Sequence, residues 1–323
     1  MTPFKELRFV NTKKIFRDAY RGKYAIPSLN FISMEQINAI TDAAQEMNAP
    51  VIVMVAPKHC RQFEFETIVR VAQSEVDRLR NQGCTVPYAL HLDHGTNFGE
   101  CRLAIDSGFS SVMIDGSNLP LEENIKLTRR VVEYAHEYDV SVEGELGSLS
   151  GAEDADAESR GGMYTNPLEA KRFIAETGVD SLAVSVGTVH GLNKIPASTD
   201  GDFSGLRYDI LNTIEKENPD FPLVLHGCSA LPKYYIDMLN QYGGDIGYTY
   251  GISDKTISNA SRTSVCKINI ASDGWIPALA ITRKMLAENP QAVDSCVFSR
   301  AVRPVLKEIY KQKYEIMGCV FKK

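Results

Sequence analysis

The sequence predicts an α/β protein of the (β/α)8, or TIM-barrel, class. Eight apolar runs rich in β-branched residues alternate with eight helix-patterned segments, and no linker interrupts the series. A doubly wound open sheet is the rival arrangement, but no Gly-x-Gly-x-x-Gly follows the first strand. Residues 1–323 are therefore expected to form one domain, with long loops at the catalytic face and extra terminal helices.

Taken in order, strands are expected near residues 25–30, 51–56, 88–93, 111–115, 140–145, 181–186, 223–225 and 266–270. Helices are expected over 34–47, 65–81, 98–107, 121–138, 167–177, 207–217, 232–242 and 277–288. Pro167 and Pro232 fall where a first helical turn favours proline. Gly108 and Gly178 fall where a helix stops. Two polar, glycine-rich stretches, 147–164 and 193–204, each follow a strand, which places them on the face where barrels carry function. Residues 242–264 read as a third, partly helical insertion, and 297–317 as a helix beyond the eight units.

Composition excludes several classes. The net charge of -6 argues against nucleic acid as the main partner. An anionic substrate would need a local cradle, because the global field repels it. No segment is long and apolar enough to span a membrane, and residues 1–21 are charged, without an apolar stretch suited to secretion. The seven cysteines are scattered without a Cys-x-x-Cys pair, which fits reduced thiols in a cytoplasm better than a disulfide framework.

The chemistry concentrates at strand ends. His91-Leu92-Asp93-His94 closes the third apolar run and is followed by Gly95. Two later runs also end in His-Gly, at His190-Gly191 and His226-Gly227. Any one of these histidines alone reads as a polar residue holding a loop. As a set, His94, His190 and His226 match a catalytic zinc site, which takes three protein ligands and keeps one position open. Side chains alternate along a strand, so His91 and Asp93 share a face, and His94 joins them only if the strand has already ended, a bend that Gly95 permits. His91 is expected to support the site by bonding a polar neighbour. Asp93 could ligate a metal, carry a proton or orient a histidine. Asp115 and the same-face pair Glu143 and Glu145 also end strands, and could meet a second cation or a basic neighbour. His59 and His136 fall outside the pattern, and His136 reads as a surface residue. The segments 226–229 and 267–272 are rich in small residues, which lets backbone N–H groups approach an anion, and Lys194 could add a positive charge. Tight turns alone would use the same residues.

These motifs, in order, resemble the class II, metal-dependent fructose-bisphosphate aldolases and the related tagatose-bisphosphate enzymes. The likeness runs nearly end to end. It takes in Ser28-Leu29-Asn30-Phe31, His91 to Gly95, Val142-Glu143-Gly144-Glu145-Leu146-Gly147, Gly151-Ala152-Glu153-Asp154, Gly187 to Gly191, His226 to Ser229 and Lys267 to Ile270. The resemblance implies a zinc on His94, His190 and His226 that polarises the carbonyl of dihydroxyacetone phosphate and stabilises an enediolate. It implies that Asp93 exchanges a proton with the C4 hydroxyl, that Glu153 transfers a proton at the donor carbon and that Asn269 contacts the enediolate. Asn30, Gly191, Lys194, Gly227, Ser229 and the turn Asn269, Ala271 and Ser272 would hold substrate and its phosphate. Asp115 and Glu145 match an alternative metal position, and some members instead bind a monovalent cation near the phosphate. A cytoplasmic homodimer or homotetramer is also implied.

Two positions depart from the fructose-bisphosphate pattern. Ala271 stands where those enzymes usually carry Asp, and Trp275 where an Arg commonly reaches a neighbouring subunit. Tryptophan cannot make a bidentate charged contact. Against these departures, the 242–264 insertion resembles a fructose-bisphosphate subgroup, so the substrates expected are fructose 1,6-bisphosphate first, tagatose 1,6-bisphosphate second and another ketose 1-phosphate third. Two rivals belong to other classes. A metal-dependent hydrolase would want His-x-His at the end of strand one, which here ends in Asn30, and a non-catalytic partner barrel would have lost the histidines or Asp93.

Overall fold

A computed structural model describes residues 3–148, 163–188, 205–230, 232–247, 251–294 and 296–321. The strands are β1 (Ile26–Asn30), β2 (Val51–Val55), β3 (Tyr88–Gly95), β4 (Ser111–Ile114), β5 (Ser141–Leu146), β6 (Ser181–Val184), β7 (Leu223–Leu225) and β8 (Val265–Ile270). Each pairs in parallel with the next, and β8 returns to β1 with Ser28 opposite Asn269, so the sheet closes into the predicted barrel. Every strand residue is buried. That is why these strands read as continuous apolar runs rather than as an apolar–polar alternation.

The helices are α1 (Thr12–Gly22), α2 (Met34–Met47), α3 (Pro57–Phe63), α4 (Phe65–Asn81), α5 (Phe98–Ser107), α6 (Leu121–Glu137) and α7 (Pro167–Thr177), followed by α8 (Tyr208–Glu217), α9 (Lys233–Gln241), α10 (Asp254–Ala260), α11 (Ser272–Glu288) and α12 (Cys296–Ile316). Local signals set their ends. Asn97 caps α5 by accepting from the Glu100 N–H at 3.0 Å, and Gly108 stops it at φ 113°. Pro167 takes the first position of α7, and Gly178 ends it at φ 72°. The C-terminal helix α12 lies across α2, where Arg303 pairs with Asp42 at 2.7 Å, and buries Leu306, Tyr310 and Tyr314.

Four expectations need correction. Helices α1 and α3 are not among the elements expected from sequence. Helix α11 begins at Ser272, not at 277, and Pro277 lies inside it, where its missing N–H removes one i to i−4 bond. Pro232 caps α9 from outside instead of opening it. The third strand also runs on to Gly95, two residues past its expected end.

Candidate active site

Three strands each send an i, i+2 pair of polar side chains into the barrel: His91 and Asp93 from β3, Glu143 and Glu145 from β5, Lys267 and Asn269 from β8. The first members form a lower layer. Lys267 Nζ donates to Glu143 Oε2 at 2.7 Å and to His91 Nε2 at 3.0 Å. His91 Nδ1 must then donate, and it meets Ser111 Oγ at 2.8 Å. Burial first and the Lys267 charge second hold the His91 imidazole well below its usual pKa, so it is neutral. For Glu143, burial pushes upward, but the Lys267 charge and the His226 hydrogen bond outweigh it and keep the carboxylate ionised.

The upper layer faces the mouth. His94 reaches it by a bulge and not by the expected end of the strand. The strand has not ended there. Leu92 pairs with Val112 and Gly95 with Ile114, so Asp93 and His94 together oppose Met113 in a β-bulge. The left-handed residue is His94 itself, at φ 52°, and not Gly95. Gly95 is needed for room: a Cβ there would lie 2.8 Å from both the Met113 carbonyl oxygen and Cys101 Sγ. The bulge lets consecutive side chains, Asp93 and His94, serve one site.

Carboxylates fix the imidazoles of His94 and His226. Asp115 Oδ2 accepts from His94 Nδ1 at 2.9 Å, which leaves Nε2 as the nitrogen that His94 can offer a cation. Glu143 Oε1 lies 3.0 Å from His226 Nε2, so His226 offers Nδ1. The two rings stand 4.6 Å apart at 67°. Asp93, His94 and His226 present donor atoms that all lie within 4.8 Å of one another, as do His94, Asp115 and Glu145. Glu145 Oε2 sits 3.6 Å from His94 Nδ1 and 3.5 Å from His226 Nδ1, and makes no hydrogen bond among the described residues. Two nitrogens and a carboxylate oxygen converging in a buried pocket suit a divalent transition metal such as zinc.

Charge is divided unequally here. Burial pushes Asp115 upward, but the His94 hydrogen bond and charge, with donors from Ser117, bring it down to about 2. Glu145 moves up, through burial and then the Asp115 charge. Burial lowers the His226 imidazole, yet the Glu143 hydrogen bond and the neighbouring Glu145 carboxylate more than compensate and raise it to about 9. A cation held at Nδ1 would take the place of that proton.

The other expected positions distribute as follows. Asn30 ends β1 and accepts the Trp275 indole N–H at 3.0 Å. Asn269 Nδ2 donates to Asp93 Oδ1 at 2.8 Å. Gly227 follows His226 at φ 66°, and Ser229 Oγ lies 3.5 Å from the Ala271 N–H, so the turns after β7 and β8 meet. Ala271 caps α11 and Ser272 opens it. Glu153, His190, Gly191 and Lys194 lie outside the described residues. His136, read as a surface residue, is exposed and pairs with Asp180 at 2.9 Å. Sequence reasoning gave no role to Lys267, although a lysine two residues before Asn269 within an apolar run was the available signal. It also missed the buried pair of Asp273 and Lys313, 2.6 Å apart under the turn after β7.

The model of the class-II fructose-bisphosphate aldolases matches residues 10–322. This chain belongs to the class II fructose-bisphosphate aldolase family. It is 42% identical to a fructose-bisphosphate aldolase of Treponema pallidum, over 98% of both chains. It is 35% identical to one of Giardia intestinalis, over 95% of this chain and 92% of that one. Among solved structures it is similar to the YdjI aldolase from Escherichia coli K12, with a TM-score of 0.71 and 27% identity over 97% of this chain and 98% of that one. A fructose-bisphosphate aldolase structure from Campylobacter jejuni, at a TM-score of 0.70 and 23% identity, supports the fold. The chain is thus an aldehyde-lyase, and the hydrolase and non-catalytic readings fall away. No helix among the described residues is long and apolar enough to cross a membrane.

Proposed function

We propose that this enzyme reversibly cleaves a ketose 1,6-bisphosphate, fructose 1,6-bisphosphate first, to dihydroxyacetone phosphate and glyceraldehyde 3-phosphate. The observation that carries the reading is the β3 bulge, which puts Asp93 and His94 on one pocket with His226 while Asn269 anchors the Asp93 carboxylate. His94 and His226, with His190, would hold one zinc ion. Zinc bound there supplies Lewis-acid polarisation of the donor carbonyl.

The chain's own groups do the rest. Asp93, held at 2.8 Å by Asn269, takes the C4 hydroxyl proton during cleavage and returns it during condensation. Asn269 positions that carboxylate and contacts the donor carbons. Glu153 moves the proton at the donor carbon. Asp115 and Glu143 lock the two imidazoles in the tautomers that face the pocket. The donor phosphate lies against the meeting turns at Gly227, Ser229, Ala271 and Ser272, joined by Gly191 and Lys194, with the N-terminus of α11 directed at it. Asp115 and Glu145 could take a second divalent ion, or a monovalent cation could sit near the phosphate. A cytoplasmic homodimer or homotetramer is the working form we propose, and the seven unpaired cysteines fit that compartment.

The test is a coupled assay on the purified protein with fructose and tagatose 1,6-bisphosphates. Cleavage to triose phosphates supports the reading. Phosphate release without carbon–carbon cleavage would contradict it.

A further inference from the structure

We infer that Trp275 forms the acceptor wall of the barrel mouth, so that contact with its indole selects the aldehyde half of the ketose phosphate. The inference rests on the aldolase reading above. Trp275 is the only tryptophan in the chain. It stands near the start of α11, the helix that follows β8, and is half-buried. Its Nε1–H donates to Oδ1 of Asn30 at the end of β1, at 3.0 Å. An indole has one donor and no acceptor, so this bond fixes the ring across the seam between β8 and β1. On the β2 side the His59 imidazole, carried by α3, meets the ring at 6.1 Å and 82°. That is an edge-to-face contact within the usual range for aromatic pairs. Three consecutive sectors of the closed sheet, β8, β1 and β2, therefore contribute to one wall.

The next sector is β3, which carries Asp93. A ketose with its donor phosphate at the β7 and β8 turns and its C4 hydroxyl at Asp93 must run its remaining carbons along one of two arcs. The β4–β5 arc is taken by Asp115, hydrogen-bonded to His94 Nδ1, and by Glu145, whose carboxylate lies 3.6 Å from the same nitrogen. The other is the β1–β2 arc, where Trp275 and His59 stand. An indole carries no charge and presents a flat apolar face to sugar C–H groups. Position 275 therefore selects by shape and stacking. The substrate class extends to ketose 1-phosphates whose aldehyde half bears no second phosphate.

The donor and acceptor halves can be read separately in the full-length, zinc-loaded enzyme. Solvent deuterium exchange into dihydroxyacetone phosphate, followed by NMR, uses the donor half alone. Cleavage of fructose 1-phosphate and of fructose 1,6-bisphosphate uses both halves. Trp275→Ala is expected to lower kcat/KM for cleavage by about tenfold or more while exchange stays within about twofold, with Trp275→Phe keeping most of the cleavage rate. The parent enzyme is expected to cleave the monophosphate with kcat/KM within about tenfold of the bisphosphate. In Asp93→Ala, fructose 1,6-bisphosphate should shift or quench the single tryptophan's emission, and dihydroxyacetone phosphate should leave it nearly unchanged.

The inference is overturned if exchange and cleavage fall together, since Trp275 would then only hold Asn30 or the fold. It is equally overturned if cleavage is unaffected, if the parent needs the distal phosphate by more than about a hundredfold, or if the donor alone perturbs the fluorescence fully. Should Trp275→Ala not fold, the Trp275→Phe kinetics and the fluorescence decide. A parent enzyme that neither exchanges nor cleaves would remove the aldolase reading itself, and this inference with it.

Discussion

Two layers inside the barrel use the same strands and the same i, i+2 spacing, yet they behave oppositely. In the lower layer His91, Glu143 and Lys267 close on one another, and the lysine is matched at 2.7 and 3.0 Å. In the upper layer Asn269 reaches Asp93, but Asn269 Oδ1 and Glu145 Oε2 find no hydrogen-bond partner among the described residues. Buried polar atoms are normally satisfied, so unfilled bonding capacity beside the converging His94 and His226 imidazoles points to a ligand there. In the proposed reading the lower layer is a floor that holds the ligands' orientation, and the upper layer carries the chemistry. Polarity inside a barrel does not by itself signal reactivity. What separates the layers is whether the polar groups saturate each other.

The largest effect should come from the mouth. Asp93→Ala is expected to cut kcat by roughly 10²- to 10⁴-fold with thermal stability nearly unchanged, measured by coupled kinetics beside a melting curve. A floor substitution should reverse that ranking. Lys267→Met takes from the buried Glu143 carboxylate its lysine partner, leaving only His226, and is expected to cost about 3–5 kcal/mol in urea unfolding. Adding Glu143→Gln should restore part of it, and a double mutant no more stable than the single would break the floor account. Between the layers sits the bulge. Gly95→Ala forces a Cβ onto the Met113 carbonyl and should cost about 1–3 kcal/mol, along with activity, because His94 must shift. Outside the barrel, Asn97→Ala removes only a helix cap. A loss of about 1 kcal/mol with kcat/KM intact is expected, and a large kinetic effect there would blur the distinction between site and scaffold.

How much of this was legible in sequence follows from the same physics. The eight strands were readable because double-sided burial writes them as apolar runs. Helix α3 was not, since seven residues holding Pro57, His59 and Cys60 carry too little helical period to register. The first turn of α11 was hidden by Gly274 and Pro277, both poor helix formers. His94 was placed at the site, but alternation cannot distinguish a strand that ends from one that bulges, and the turn was assigned to the wrong residue. Lys267 was invisible as a partner because the groups that justify burying it, Glu143 and His91, come from strands far away in the chain. Trp275 stood out as a departure, but its bond to Asn30 crosses 245 positions and only the closed sheet reveals it.

The central claim is that the mouth layer binds the metal that makes the enzyme an aldolase. The most direct measurement is cleavage of fructose 1,6-bisphosphate before and after exhaustive chelation, with zinc added back, on the parent and on His226→Ala. The account predicts that chelation abolishes turnover, that about one equivalent of zinc per chain restores it in the parent, and that His226→Ala neither retains zinc nor recovers. Undiminished turnover in a preparation shown to be metal-free would contradict it.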